Sequence, residues 1–158
     1  MQHTQGLLLL FVGGGDVIDF LKSETLRLKL SDKVMFVPRQ SMEKLREYTR
    51  LADVGLSLDK DTNLNYKYSL PNKLFDYIQA EIPVLVSDLP ELRTIVDKYA
   101  IGKIVDSHQP EKLAMQMMEM VKDPVQFAQW KENLKLAASD LCWENEEVKL
   151  LEIFKDVL

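Results

Sequence analysis

Short apolar runs alternate with segments of helical periodicity along this chain, and this alternation constrains the fold most. Residues 7–12 form a continuous apolar run, and the glycines at positions 13–15 break it before a helical segment. A strand that is apolar along its whole length is typical of a parallel sheet covered on both faces. The repeated order of strand and helix therefore predicts an α/β fold, with a Rossmann-like open parallel sheet of about five strands, flanking helices and a helical C-terminus.

The same patterns give approximate element bounds. Proline and glycine punctuate the segments, and Pro71 is expected at the first helical position, where its missing N–H costs nothing. Asp16 and Ser41 are expected to open helices, and residues 59–68 are expected to be a polar loop. The expected strands are 7–12, 33–37, 53–58, 83–86 and 102–105, and the expected helices are 16–28, 41–51, 71–80, 90–99, 111–122, 124–138 and 143–158.

Composition excludes several classes of protein. The chain has 158 residues, 46% of them hydrophobic, which is enough for one domain with a proper core. A net charge of −5 without a basic stripe predicts that nucleic acid is not a partner. Cys142 is the one cysteine, so an internal disulfide is excluded and a reducing cytoplasm is expected. No apolar run approaches the length of about 20 residues that spans a membrane.

The segment from Tyr68 to Asp88 predicts an anion site. A helix that begins at Pro71 leaves several N–H groups without partners and places a positive dipole end beside them. Lys73 adds a full charge in the first turn, and Asn72 and Asp76 lie on the same helix face by their spacing. This pattern favours a phosphate at the helix end and a hydroxyl-bearing group near the carboxylate. The alternative is a surface ion pair between Lys73 and Asp76.

The glycine turn gives a weaker signal. A dinucleotide fingerprint needs a third glycine at position 18, where the chain has isoleucine, and an acid after the second strand, where it has Pro38 and Arg39. Binding of NAD or NADP is therefore disfavoured, and the glycines indicate a tight turn. Arg39 lies at the carboxyl edge, where ligands of open α/β sheets bind, with an ordinary solvated arginine as the alternative.

No metal site is predicted. Asp59, Asp61 and Asn63 offer oxygens at alternate positions, but no glycine or later acid completes a calcium loop, so a solvated loop is expected. His3 and His108 are far apart along the chain, so no zinc ligand set is visible.

The segment beginning at Tyr68 resembles the donor-binding signature of the retaining, nucleotide-sugar-dependent glycosyltransferases with the GT-B fold (family 4). It is most similar to the branch written Ser-Pro-x-Lys-x-Phe-Glu-Tyr-hydrophobic-x-Ala-Gly-x-Pro-Val. Three positions differ: Asp76 and Tyr68 stand where the family usually has glutamates, and Glu81 replaces the common glycine. The residues at the corresponding positions, with Asp76 as an acid one methylene shorter, are Pro71, Lys73, Phe75, Asp76, Tyr77, Ala80, Pro83 and Val84.

The resemblance implies that residues 1–158 are the nucleotide-sugar-binding lobe of a longer enzyme, whose acceptor lobe and first strand–helix unit are absent here. That enzyme would transfer a hexosyl group, with retention, from a UDP- or GDP-sugar to a saccharide or lipid-linked acceptor. It would need no metal or other cofactor, and would work in the cytoplasm or peripherally at the inner membrane face. The site residues would be Asn72, Lys73, Asp76, Pro71, Arg39 near the base, and Gly14 near the nucleotide. This lobe alone would be inactive.

The resemblance also predicts a gap in the sheet. The absent strand would lie between residues 7–12 and residues 53–58, leaving two rows of unpaired backbone groups, each costing about 1–3 kcal/mol if buried. We therefore expect those strands to pair directly, or a second copy of the chain to fill the gap by dimerisation or strand exchange. The competing class of function is a non-catalytic α/β module that binds a metabolite or regulates a partner.

Overall fold

The structure, a computed structural model, describes residues 1–155. The expected end of the last helix, residues 156–158, lies outside this range. Strands and helices alternate as predicted, and a helical C-terminus follows. The elements are β1 (Leu9–Val12), α1 (Ile18–Arg27), β2 (Val34–Val37), α2 (Met42–Arg50), β3 (Gly55–Ser57), α3 (Leu64–Tyr68), α4 (Asn72–Gln79), β4 (Val84–Val86), α5 (Pro90–Tyr99), β5 (Gly102–Ile104), α6 (Pro110–Lys122), α7 (Pro124–Asp140) and α8 (Trp143–Phe154).

All strand pairs are parallel, which confirms the predicted α/β class. The strands are divided between two sheets, however, one with the order β1–β2 and one with the order β3–β4–β5. In the first sheet Phe11 is the register partner of Phe36, and in the second Leu85 lies between Leu56 and Lys103. The expected direct pairing of β1 with β3 is wrong. Pairing with a second copy stays a prediction.

The unpaired edges of β1 and β3 cost less free energy than the penalty expected for fully buried backbone groups. Every residue of β1 is only partly buried, so the penalty for fully buried unpaired groups does not apply in full at this strand. In β3, the N–H of Gly55 and the carbonyl of Ser57 bond toward β4, so alternation directs the groups of Leu56 to the free edge. The Leu56 carbonyl there accepts a hydrogen bond from the Tyr77 hydroxyl at 3.5 Å. Solvent and this side chain therefore offset part of the expected penalty.

The starts of three helices differ from prediction. Val17 is the N-cap of α1, and Asp16 makes no capping bond to that helix. Pro71 is the N-cap of α4 with an extended backbone (φ −72°, ψ 138°), so Asn72 is the first helical residue. The predicted loop 59–68 contains the short helix α3, whose first turn is capped by the Asn63 side chain. Asparagine at an N-cap explains why helix forms in a polar segment.

The core lies around the three-stranded sheet. Val84 and Val86 of β4 are fully buried against α4, α5 and α7, whereas Leu85 points to the other face and joins Met120 and Trp130. This strand is apolar throughout because both of its faces are covered. Residues of β1, α1 and β2 are at most partly buried, and the rings of Phe11 in β1 and Phe36 in β2 stack with their centroids 5.2 Å apart.

No helix among residues 1–155 is both long enough and apolar enough to cross a membrane.

Candidate functional site

The position of α4 on the sheet is set by a close contact. A Cβ built on Gly55 would lie 2.5 and 2.7 Å from two ring carbons of Tyr77, so only glycine allows this ring to lie on β3. Tyr77 is one helical turn after Lys73, so the two residues share the side of α4 that packs on β3. The amino end of α4, residues 71–73, therefore lies beside the carboxyl end of β3. Ligands of open α/β sheets bind at such an edge.

The amino end of α4 keeps free donors. The first backbone hydrogen bond of this helix joins the Leu74 N–H to the Pro71 carbonyl at 3.0 Å. Within the described part of the chain, the N–H groups of Asn72 and Lys73 have no acceptor, and no side chain caps the helix. Asn72 is exposed and Lys73 is partly exposed, so the helix end is open to a ligand. Free N–H groups and the helix dipole make this end of α4 a candidate anion site.

Lys73 is held by a residue from another element. Its ammonium lies 2.8 Å from Oδ2 of Asp59, two residues beyond β3. The same oxygen accepts a hydrogen bond from the hydroxyl of Ser57 at 3.2 Å, and Ser57 is fully buried. A buried strand residue therefore orients the carboxylate, and the carboxylate orients the lysine.

The pKa of the Asp59 carboxyl lies below its usual value. Partial burial acts to raise this pKa, but the hydrogen bond and charge of Lys73, with the hydrogen bond from Ser57, outweigh burial. The carboxylate is therefore ionised throughout the neutral range. Because 41% of the Lys73 side chain and 30% of the Asp59 side chain are exposed, water screens the pair and its contribution to stability is small.

Asp76 lies on the exposed side of α4 with Asn72, as the spacing predicted. The alternative ion pair between Lys73 and Asp76 is not formed, since Lys73 pairs with Asp59 instead. Burial, with a small addition from the charge of Asp76, raises the pKa of Tyr77 although its hydroxyl donates to the Leu56 carbonyl. The carboxylate at position 76 is thus open to solvent one turn from the free helix end.

The structure places Gly14 and Arg39 on the first sheet. They follow β1 and β2, whose ends are joined by the bond from the Gly13 N–H to the Val37 carbonyl at 2.9 Å. Both residues are exposed, and Arg39 forms no salt bridge with any described residue. No hydrogen bond or ion pair between described residues links them to α4. The structure brings Pro71, Asn72, Lys73 and Asp76 together and leaves these two at a separate sheet edge.

The loop after β3 is more ordered than the sequence suggested. Asp61 pairs with Lys67 at 2.9 Å, and Asn63 accepts from the Tyr66 N–H at 3.0 Å as the cap of α3. Residues 59–63 form a loop in which Asp61 and Asn63 are exposed, as expected, although their side chains also make these local contacts. Residues 1–155 contain no group of three or more His, Cys, Asp or Glu side chains that could hold a metal ion.

A polar pair that was not predicted from the sequence lies at the same edge. Ser87, directly after β4, is buried, and its hydroxyl lies 2.9 Å from Nε2 of the exposed His108. The Ser87 N–H donates to the Ser57 carbonyl, so the two serines are neighbours. Their positions at the ends of adjacent strands were the available signal, because the carboxyl ends of parallel strands meet at one edge.

The C-terminal end of α4 explains one departure from the glycosyltransferase signature. Glu81 has a left-handed backbone (φ 57°). The Glu81 N–H bonds to the Ile78 carbonyl at 3.0 Å, and the Ile82 N–H bonds to the Tyr77 carbonyl at 2.9 Å, which is the Schellman arrangement. Glycine adopts this conformation without strain, so the glycine common in the signature and Glu81 serve the same turn.

Three solved structures have folds similar to that of this chain. The chain is similar to WaaG, a glycosyltransferase involved in lipopolysaccharide biosynthesis (TM-score 0.66, 19% identity, covering 84% of this chain and 34% of that one). It is similar to sucrose-phosphate synthase from Thermosynechococcus elongatus (TM-score 0.78, 20% identity, covering 94% and 38%). It is also similar to Anabaena HepE in complex with UDP-glucose (TM-score 0.71, 16% identity, covering 88% and 38%).

These likenesses confirm that the chain has the fold of a GT-B C-terminal lobe, and it spans little more than a third of the length of those structures. The model of the family described as glycosyl transferases group 1 matches residues 1–137. No curated protein is significantly similar in sequence.

Proposed function

Because this chain belongs to the family of group 1 glycosyl transferases, we propose that it is the donor-binding lobe of a retaining enzyme whose donor is a UDP- or GDP-sugar. The observation that carries the proposal is the open amino end of α4, where free N–H groups and Lys73 lie at the carboxyl edge of the sheet. UDP is the favoured nucleotide, because HepE, a structural neighbour, is in complex with UDP and UDP-glucose.

Glycosyl transfer breaks the bond between the anomeric carbon and the diphosphate oxygen and forms a bond from that carbon to an acceptor hydroxyl oxygen. The departing nucleoside diphosphate takes the bonding electron pair, and the proton lost by the acceptor passes to a phosphate oxygen of that leaving group or to solvent. The helix end and Lys73 would stabilise that developing negative charge, as preorganised donors do in other transfer reactions. Asn72 would contribute its backbone N–H, Pro71 would fix the helix start, and Asp76 would accept hydrogen bonds from the ribose hydroxyls.

The remaining parts of the proposal concern the edge of the first sheet and a further lobe of the full-length enzyme. Arg39 and Gly14 would contact the base and nucleotide from the edge of the first sheet. A saccharide or lipid-linked acceptor would bind to a further lobe, so this lobe alone would not catalyse transfer. We place the full-length enzyme in the cytoplasm, peripheral to the inner membrane face. Lipopolysaccharide or another polysaccharide would be its product class, since WaaG acts in lipopolysaccharide biosynthesis. On this proposal no metal would be required, because the free N–H groups of the helix end and the short hydrogen bonds of Lys73 would stabilise the diphosphate.

Calorimetric titration with UDP, GDP and their sugars tests the site. Lys73→Ala removes a charge-assisted hydrogen bond to the ligand and is expected to weaken UDP binding by about tenfold or more. Lys67→Ala is the matched control, because Lys67 has the same charge but lies on α3 and pairs with Asp61. Asp76→Ala is expected to weaken nucleotides more than inorganic pyrophosphate, which has no ribose. Equal affinities in the wild type, Lys73→Ala and Asp76→Ala would refute the site.

A further inference from the structure

We propose that Asp59 is a specificity-determining residue of this site: its carboxylate, in contact with Lys73, disfavours the free nucleoside diphosphate relative to the nucleoside diphosphate sugar. This inference rests on the proposed function. It assigns a role at the nucleotide site to a residue of the loop after β3 that the family signature does not include and that the sequence suggested only as part of an incomplete calcium loop.

The geometry fixes the carboxylate beside the lysine. Oδ2 of Asp59 accepts from both the Lys73 ammonium, at 2.8 Å, and the Ser57 hydroxyl, at 3.2 Å. Ser57 is fully buried and belongs to β3, so its hydroxyl is anchored to the sheet. A carboxylate held from a rigid strand cannot easily swing away when a ligand binds. It therefore remains near the anion.

Sharing Lys73 lowers the positive charge that a ligand meets. The ammonium has three donors, and one of them is directed at Asp59, which leaves donors for a phosphate oxygen. The negative charge of Asp59 cancels much of the lysine charge at longer range, so only short hydrogen bonds and the helix end attract the ligand. Each additional negative charge on the ligand then gains little from Lys73 and is repelled by Asp59.

The donor and the product differ in such a charge. In a nucleoside diphosphate sugar the terminal phosphate is an ester with the sugar, whereas in the free nucleoside diphosphate it has a second ionisation with a pKa of about 6. At neutral pH the free diphosphate therefore has nearly one more negative charge than the donor. Asp59 consequently penalises the product more than the donor, which limits product inhibition after each transfer.

Calorimetry with UDP and UDP-glucose on the purified chain tests this role, at about pH 7.5 and low salt, where the extra charge is present and screening is weak. In Asp59→Asn, the affinity for UDP is expected to rise about fivefold more than the affinity for UDP-glucose. A factor of about five corresponds to one exposed charge interaction at contact distance. Asp59→Glu keeps the charge and is expected to restore the wild-type ratio. Asp61→Asn is the matched control, since this neighbouring carboxylate pairs with Lys67, and its ratio should stay within about twofold of wild type.

A second measurement separates charge from structure. Near pH 5.5 the terminal phosphate of UDP is mostly protonated, so the difference between wild type and Asp59→Asn is expected to shrink. A structural defect would not follow that titration. If Asp59→Asn does not fold, as judged by circular dichroism, Asp59→Ser gives the same charge change and takes its place.

The outcomes are distinct. If wild type binds UDP, Lys73→Ala weakens it, and Asp59→Asn changes both ligands equally or neither, the role of Asp59 is refuted while the proposed function stands. If wild type binds neither ligand, or Lys73→Ala has no effect, the proposed function fails and this inference fails with it.

Discussion

Replacing Gly55 by alanine tests whether the contact between β3 and α4 builds the site. The new methyl carbon would lie 2.5 and 2.7 Å from Cδ2 and Cδ1 of Tyr77, closer than real Cβ atoms approach a ring. Moving the ring away from β3 would break the long, 3.5 Å hydrogen bond from its hydroxyl to the Leu56 carbonyl and pull Tyr77 out of its partly buried position. The helix must therefore shift on the sheet, and Lys73 must move with it relative to Asp59.

The expected cost of Gly55→Ala is about 1–3 kcal/mol of unfolding free energy, the usual range for overpacking a tight contact. Urea denaturation followed by circular dichroism measures it. Gly15→Ala is the control: a Cβ there meets nothing within 4 Å, so its unfolding free energy should stay within about 0.5 kcal/mol of wild type. We also expect Gly55→Ala, but not Gly15→Ala, to weaken UDP binding. A Gly55→Ala variant with wild-type stability and affinity would refute the reasoning.

Three further predictions concern stability. Glu81→Gly removes left-handed strain at the end of α4 and is expected to raise the free energy of unfolding by about 0.5–1 kcal/mol in thermal denaturation; a loss would contradict the Schellman assignment. Leu74→Ala, at a fully buried position, is expected to cost about 2–5 kcal/mol in urea, and a cost below that range would mean that this face of α4 is not packed. The lowered pKa of Asp59 means that its contribution is present above the unfolded value of about 3.9 and is lost as the pH falls through the folded value. The difference in stability between wild type and Asp59→Asn should therefore diminish in that acid range, and a constant difference would contradict the ion pair with Lys73.

The sequence predicted the elements well where one residue type determines a boundary. Pro90 and Pro124 begin α5 and α7 as expected, and Ser41 caps α2 through its bond with the Lys44 N–H. Strand positions followed from apolar runs, although each strand is shorter than its run because pairing ends before the apolar residues do. The short helix α3 was missed, although the Asn63 cap was visible in the sequence.

Contacts between distant segments could not be predicted in the same way. The pair of Lys73 and Asp59 depends on where α4 lies on β3, and the Gly55–Tyr77 contact sets that position. No local sequence pattern around Gly55 or Tyr77 predicts such a contact. The separation between β1 and β3 lies where the resemblance places an absent strand, whereas the expectation that these two strands pair directly was wrong. The site residues on α4 were predictable because they share one helix; their partner was not.

Division of the strands between two sheets gives the chain two parts of unequal stability. The larger one contains the fully buried Val84, Leu85 and Val86, whereas β1, α1 and β2 have no fully buried residue. Backbone amides in residues 9–37 are therefore expected to exchange with deuterium through local opening, long before those of β4 do. A ligand that bridges both sheet edges would slow exchange in the weaker part, so protection there would report on occupancy.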